Sequence, residues 1–247
     1  MNFFTKQLYE QMQIWNFLMN FTNQEEDEEV SEDIIEYYQK QGKDYYTEQK
    51  RCYEHSYNET KPLLLKYLPE SLRVAIYDEF SVYGKMPNNT LMTEIDKYRS
   101  FLYDLIFNES EINVNRIYNK YYKDIKSSLP TNIQNLNEQY SFHDSQIISV
   151  DYNSKKQIVI KLSCKGSCLP SDGIAVLTFY DVKFTELNDD YIGNWWLWDE
   201  THLSDLGKFD FQAIFHKYNS NNEHSLNELR IVADEVSLSF LDWKDSI

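Results

Sequence analysis

Around Ser141–Tyr152 the spacing of apolar residues changes from a helical repeat to an alternation of two. Before it, apolar positions recur every three to four residues, the period of an amphipathic helix. After it, apolar and polar residues alternate, the period of a half-buried strand. No single layer satisfies both halves. The switch therefore predicts an α+β fold, a helical N-terminal half followed by an antiparallel β-sheet C-terminal half. It sets a helical domain at residues 1–137 and an antiparallel β domain at residues 138–247.

In the first half, Thr5 can cap a helix running to about Asn20, with Leu8, Met12, Trp15 and Met19 as its stripe. Ser31 caps a second, with Glu32 and Asp33 at its dipole-favoured end, running to about Tyr57. Pro62 and Pro69 each suit the first turn of a helix. The run Gly84–Asn88 reads as a loop. Asn89 or Thr90 then caps a helix through Phe107, and a last helix runs from about Glu111 to Ser127, stopped by Pro130.

In the second half, Ile148, Val150 and Tyr152 share one face of a strand, and Ile147, Ser149 and Asp151 the other. Asn153-Ser154-Lys155 turns the chain into Ile158, Ile160, Leu162 and Cys164, completing a hairpin. Ile174–Phe184 is apolar on both faces, the mark of a central strand. Trp195–Glu200 is a further strand. It would place Trp196, Trp198 and Glu200 on one side and Trp195, Leu197 and Asp199 on the other. Phe209, Phe211, Ala213 and Phe215 alternate with polar residues, and Leu229–Phe240 forms one or two strands broken near Asp234-Glu235.

The residue types that carry chemistry are sparse. His143, Asp144 and Ser145 form a polar cluster at the start of the sheet. Neighbours on a strand point to opposite faces, so they do not ligate one ion together. An Asp in such a place hydrogen-bonds nearby backbone amides, a structural role. Cys164 and Cys168 are separated by three residues, a spacing zinc tolerates, but no second pair accompanies them. No metal site and no cofactor are expected. Six glycines leave no phosphate-cradling loop and no nucleophile elbow. Three scattered cysteines do not make a secreted disulfide framework. The opening residues lack a basic region followed by an apolar run, and no stretch reaches the ~18 apolar residues of a membrane span. A cytoplasmic protein without membrane contact is expected.

Charge narrows the partners. The net charge is −16. Residues 1–139 hold 15 Lys and Arg against 23 Asp and Glu, and residues 140–247 hold 9 against 17, so each half carries −8. Neither half has the basic footprint of a nucleic-acid binder. An acidic surface attracts basic partners. The acidic run bearing Glu25, Glu26, Glu28 and Glu29 is one candidate partner-binding patch. Trp195, Trp196, Trp198 and Glu200 are the other, because desolvated aromatic residues anchor protein interfaces.

Four stretches together resemble a bacterial family known as domain of unknown function 4085. They are Phe-Phe-Thr-Lys-x-Leu-Tyr (Phe3–Tyr9), Leu-Pro-x-x-Ile (Leu129–Ile133), His143-Asp144-Ser145, and Trp-Leu-x-x-Glu (Trp196–Glu200). The resemblance covers most of the chain and implies no activity and no catalytic residue. His143, Asp144, Ser145 and Ile147 also match the His-Asp-(Ser/Ala)-x-(Ile/Leu/Val) pattern that leads into the sheet of small acidic immunity proteins of bacterial toxin systems. The long helical half departs from those single-domain members. Together these readings favour a non-catalytic acidic binding protein with a basic protein partner, in its most concrete form an immunity-like protein. The alternatives are a metal-dependent hydrolase built on His143, Asp144 and the Asp199-Glu200 segment, and a regulatory module that binds a small ligand between the two halves.

Overall fold

The first two helices begin directly after the caps read from the sequence, Thr5 and Ser31. In the computed structural model, which describes residues 1–19, 31–81, 89–107, 114–153, 156–187, 191–218 and 224–243, the first helix α1 spans Lys6–Met19. Its most buried residues are Ile14, Phe17 and Leu18. Met19, assigned to the stripe from spacing, is instead exposed. The contacts divide the chain into two compact units, Gln7–Asn113 and Met1–Lys6 with Val114–Ile247.

In the Gln7–Asn113 unit, α1 is followed by α2 (Glu32–Lys40), α3 (Tyr45–Tyr67), α4 (Glu70–Ser81) and α5 (Asn89–Phe107). The single helix expected from Ser31 to Tyr57 is two, and the break has a clear cause. Gly42 adopts φ +71°, which only glycine takes without strain. Its N–H bonds to Gln39 O at 2.9 Å, and Lys43 N–H reaches Tyr38 O at 3.0 Å. That pair of bonds is a Schellman stop. Asp44 then caps α3, its carboxylate accepting from Thr47 N at 2.8 Å. Pro62 lies inside α3 rather than at a first turn, whereas Pro69 does precede α4. Ile14, Leu18, Ile76, Ile95 and Leu102 are among the residues that fill this unit's core. The acidic run at 25–29, the loop at 84–88 and the turn residues 154 and 155 lie outside the described residues.

The other unit holds α6 (Val114–Ile125), a short 3₁₀ turn (Lys126–Ser128), α7 (Thr131–Gln139) and one antiparallel sheet. Pro130 does not end the helical half. It occupies the N-cap of α7, whose Ile133 and Leu136 are buried, and a proline is tolerated there because an N–H at a helix start has no intrahelical acceptor, so none is lost. The strands are β1 (Gln146–Asn153), β2 (Gln157–Ser163), β3 (Ile174–Tyr180), β4 (Phe184–Glu186), β5 (Trp195–His202), β6 (Phe209–Tyr218), β7 (His224–Ala233) and β8 (Glu235–Leu241). Their order is β4-β7-β6-β5-β1-β2-β3-β8. The stretch 174–184 is thus two strands, and β3 sits next to the edge strand β8 rather than centrally. The sheet curls, because Phe179 on β3 meets Phe209 and Phe211 on β6, four places away in strand order, at ring distances of 6.3 and 5.3 Å. The concave face closes over Leu129, Ile133 and Leu136 from the helical side and Ile158, Ile160, Leu162, Trp196, Phe211 and Phe215 from the strands.

Two bulges decide which residues face that core. On β1 the register shifts between Ile147 and Ser149, so Ile147 pairs with Leu162 and Val150 with Ile160. Ile147 therefore joins Val150 and Tyr152 on one face, where strict alternation puts it on the other. On β5 the shift falls between Trp196 and Trp198. Each bulge adds one residue to its strand and reverses the alternation beyond it.

Candidate functional site

The β5 bulge divides the Trp195–His202 segment. Trp196 pairs with Phe215, Asp199 with Ala213 and Thr201 with Phe211, all on the core face. Trp198, Glu200 and His202 pair with Ile214, Gln212 and Asp210, which share the opposite face. So Trp196 lies across the sheet from Trp198 and Glu200, not beside them. It is fully buried, edge-on to Phe215 at 4.9 Å and packed on Phe142 at 4.9 Å. Trp195 and Trp198 keep part of their surface.

Glu200 is also fully buried, and its carboxylate is saturated. It accepts from Asn2 N at 2.9 Å, Phe3 N at 2.8 Å and Phe4 N at 2.5 Å, and from His202 Nε2 at 2.8 Å. Burial works to raise its pKa, but the His202 bond and the three backbone N–H groups outweigh it and hold the carboxyl below its ordinary value. His202 Nδ1 lies 3.0 Å from Tyr121 Oη, which itself accepts the Leu203 N–H. The bonds close consistently with His202 neutral, protonated on Nε2, and Tyr121 donating to Nδ1. Tyr118 on the same helix accepts Thr201 N–H at 2.8 Å, and burial raises its hydroxyl pKa strongly. The register of β1 against β5 is limited to Gln146 and Trp195. Beyond it, these two tyrosines satisfy N–H groups that an uncovered strand edge would leave open.

Phe3 and Phe4 sit over this ladder. Phe3 stacks on His202 at 6.0 Å and contacts Tyr118 and Tyr121. Phe4 packs on Tyr118 and Trp198 at 5.4 Å each. Two sequence stretches nearly two hundred residues apart, Phe3–Tyr9 and Trp196–Glu200, thus meet through Glu200.

The rest of the face is open. Across the strands Glu186 pairs with Arg230 and Arg230 with Gln212. Arg230 reaches diagonally to Asp210, with Nη2 at 2.7 Å and Nε at 2.9 Å from Oδ2, and its guanidinium lies 5.2 Å from the Phe184 ring. The Asp210 bonds raise the Arg230 pKa, and Glu186 adds to the effect. Gln212 Nε2 donates to Asp210 Oδ2 at 3.3 Å. Glu228 meets Lys6 at 3.7 Å. Glu186, Asp210, Gln212, Glu228 and Arg230, with Met1, whose ammonium lies 3.9 Å from Glu228, line a polar cavity of about 440 Å³. Reading the chain alone missed it, because Asp210 and Gln212 look like ordinary solvent-side residues of an alternating strand. The available signal was the pairing of that alternation with Arg230 on the following strand.

The polar cluster at the sheet's start works as a fastener between β1 and β5. Trp196 N donates to Ser145 O at 2.8 Å, and Asp144 N to Trp196 O at 3.0 Å. The buried Ser145 hydroxyl donates to Phe142 O at 2.6 Å. Ser145, not Asp144, makes the side-chain-to-backbone bond. Asp144 is exposed and takes φ +64°, a left-handed conformation that aspartate tolerates better than most residues. His143 donates through Nδ1 to Leu197 O at 2.8 Å, and its Nε2 lies 3.8 Å from Asp144. Asp199 accepts from Trp196 Nε1 at 3.0 Å, and burial pushes its carboxyl up to about 6. The four groups of the hydrolase reading do not converge, since Asp199 and Glu200 face opposite sides of the sheet. Among the described residues, no group of three or more His, Cys, Asp or Glu side chains is placed to hold a metal ion. Cys164 is buried and Cys168 exposed, both as free thiols. No described helix is long and apolar enough to cross a membrane.

No curated protein and no solved structure matches this chain. The model of one family, described as "Protein of unknown function (DUF4085)", matches residues 3–221. That span contains the Glu200 ladder, the Ser145 fastener and the buried face of α7, and over it the chain belongs to the DUF4085 family.

Proposed function

We propose that this is a non-catalytic acidic binding protein whose partner is a protein with a basic face. Its most concrete form is an immunity-like protein that neutralises a bacterial toxin by direct binding. The carrying observation is the net charge of −16 on the chain, with an open cavity on the sheet where Glu186, Asp210 and Glu228 stand with Arg230 and the Met1 N-terminal ammonium. The groups of the same face with catalytic chemistry, Glu200 and His202, are engaged with backbone and with each other. The part-exposed Trp195 and Trp198 supply aromatic surface beside the acidic one.

The test is capture by the full-length protein from the native cell, identification of the captured protein, and association kinetics with the purified pair. A basic partner whose association slows severalfold between about 50 and 300 mM salt supports the reading. A partner that arrests growth when expressed alone, and not when co-expressed with this chain, supports the immunity form. Capture of no protein, or binding indifferent to salt, overturns it.

A further inference from the structure

We propose that the α2–α3 hairpin is a contact surface for a second copy of this chain, joined about a two-fold axis near Tyr37. The proposal goes beyond the acidic sheet face and does not depend on it. α2 is nine residues long and buries none of them. A helix that short is marginal alone and owes its stability to a packed apolar face. Here that face is only partly covered. Tyr38 packs edge-on to Tyr45 of α3 at 5.4 Å, while Ile34 and Tyr37 stay 46% and 62% exposed. The rings form one row, with Tyr37 against Tyr38 at 5.7 Å and Tyr46 against Tyr45 at 5.2 Å. Tyrosines packed on one another present a rigid aromatic surface, the kind that anchors interfaces.

The charges beside the row name the occupant. Asp33 and Lys40 are seven residues apart, so they lie on one side of α2 with Tyr37 between them. A carboxylate at one end and an ammonium at the other make a stripe that complements itself when reversed. A second α2 laid antiparallel brings each Asp33 to the Lys40 of the other copy and Tyr37 against its own counterpart, as an isologous interface requires. A partner carrying one sign of charge would be repelled at one end of the stripe. Lys40 already meets Glu36 of its own helix at 3.2 Å, with both side chains mostly exposed. Such a pair is weak and does not keep Lys40 from a second carboxylate. Two short helices present a face roughly 15 Å by 20 Å. That is below the ~800 Å² per partner of a stable complex, so the dimer is weak and depends on concentration.

Sedimentation velocity of the full-length protein from about 5 to 500 μM tests this. The mass should rise from one chain toward two across that range, and Ile34→Ser with Tyr37→Ser should hold it at one. Asp33→Lys and Lys40→Glu should each weaken self-association at least about tenfold, because each sets like charges face to face. Mixed in equal amounts, these two variants should associate as tightly as wild type, since both contacts are then of opposite sign. A helix that had failed to fold could not give that recovery. A wild-type chain still monomeric at the top of the range overturns the proposal. So does a dimer indifferent to Tyr37, or a mixture no tighter than its components. A different protein captured from the native cell through Tyr37, with the wild type monomeric, assigns the face to that protein and overturns the proposal equally.

Discussion

Two adjacent residues on β5 ionise in opposite senses. Glu200 is stabilised as a carboxylate by three backbone N–H groups and His202. With its pKa lowered by folding, the stability it contributes is complete above roughly pH 4.3 and drains as pH falls through the folded value. Glu200→Ala strands those donors in a buried place, and chemical denaturation at pH 7 should show a loss of about 3 kcal/mol. Asp199 behaves the other way. With its carboxyl raised to about 6, its ionisation costs stability as pH rises through 6, and the cost vanishes below roughly pH 3.9. Asp199→Asn keeps an acceptor for Trp196 Nε1 and removes the charge. It should be more stable than wild type by about 2 kcal/mol at pH 7.5 and indistinguishable from it near pH 4, as read by melting at the two pH values. Alternation alone puts the two acids on opposite faces, but with Glu200 beside Trp196. The bulged residue exchanges them, so that Asp199 takes the face of Trp196 and Glu200 the other.

At the scale of elements, the period switch near residue 141 located the sheet, and the alternations of β2 and β6 identified their buried faces, because a strand's side-chain period is insensitive to its partners. Register is different. It depends on pairing, and the bulges at 148 and 197 changed the faces of Ile147 and of Trp198–His202 without any mark in composition. Helix ends were legible where the cap residue is local, as at Ser31 before Glu32, and illegible where the deciding residue was a lone glycine, as at Gly42. Gly173 gives the element-scale prediction. It lies just before β3, and a Cβ there would stand 2.2 Å from Leu241 O on β8. Backbone cannot yield as a side-chain tip does, so Gly173→Ala must push the end of β8 off the sheet edge. A stability loss of about 2 kcal/mol is expected, with faster amide exchange confined to the pairs Ile174–Leu241 and Ala175–Phe240. Uniform exchange across the sheet would contradict this mechanism.

For the whole molecule, secondary-structure type and compact unit have different boundaries. The chain changes from helix to strand between Gln139 and Gln146, which is where periodicity placed a division at 137. The contacts instead join Val114–Ile247 with Met1–Lys6. Periodicity reports which face a helix buries, not what it buries that face against, so α6 looks like any other helix, and α7, past Pro130, was not read as a helix at all. Their chemistry shows the attachment. Asn132 Nδ2 donates to Val236 O on β8 at 3.0 Å, Leu129, Ile133 and Leu136 fill the sheet's core, and Tyr118 accepts the Thr201 N–H. A fragment of residues 138–247 therefore loses three core side chains, the cover of the β5 edge and all three backbone donors to Glu200. At roughly 2–5 kcal/mol for each large apolar side chain removed, against a typical total of about 5–15 kcal/mol, it should show no cooperative unfolding. A chain joining residues 1–6 through a flexible linker to 114–247 keeps each of these contacts and should unfold in one transition. If calorimetry finds the 138–247 fragment melting cooperatively near the temperature of the linked chain, then α6, α7 and the first residues are ornaments on the sheet rather than parts of its core.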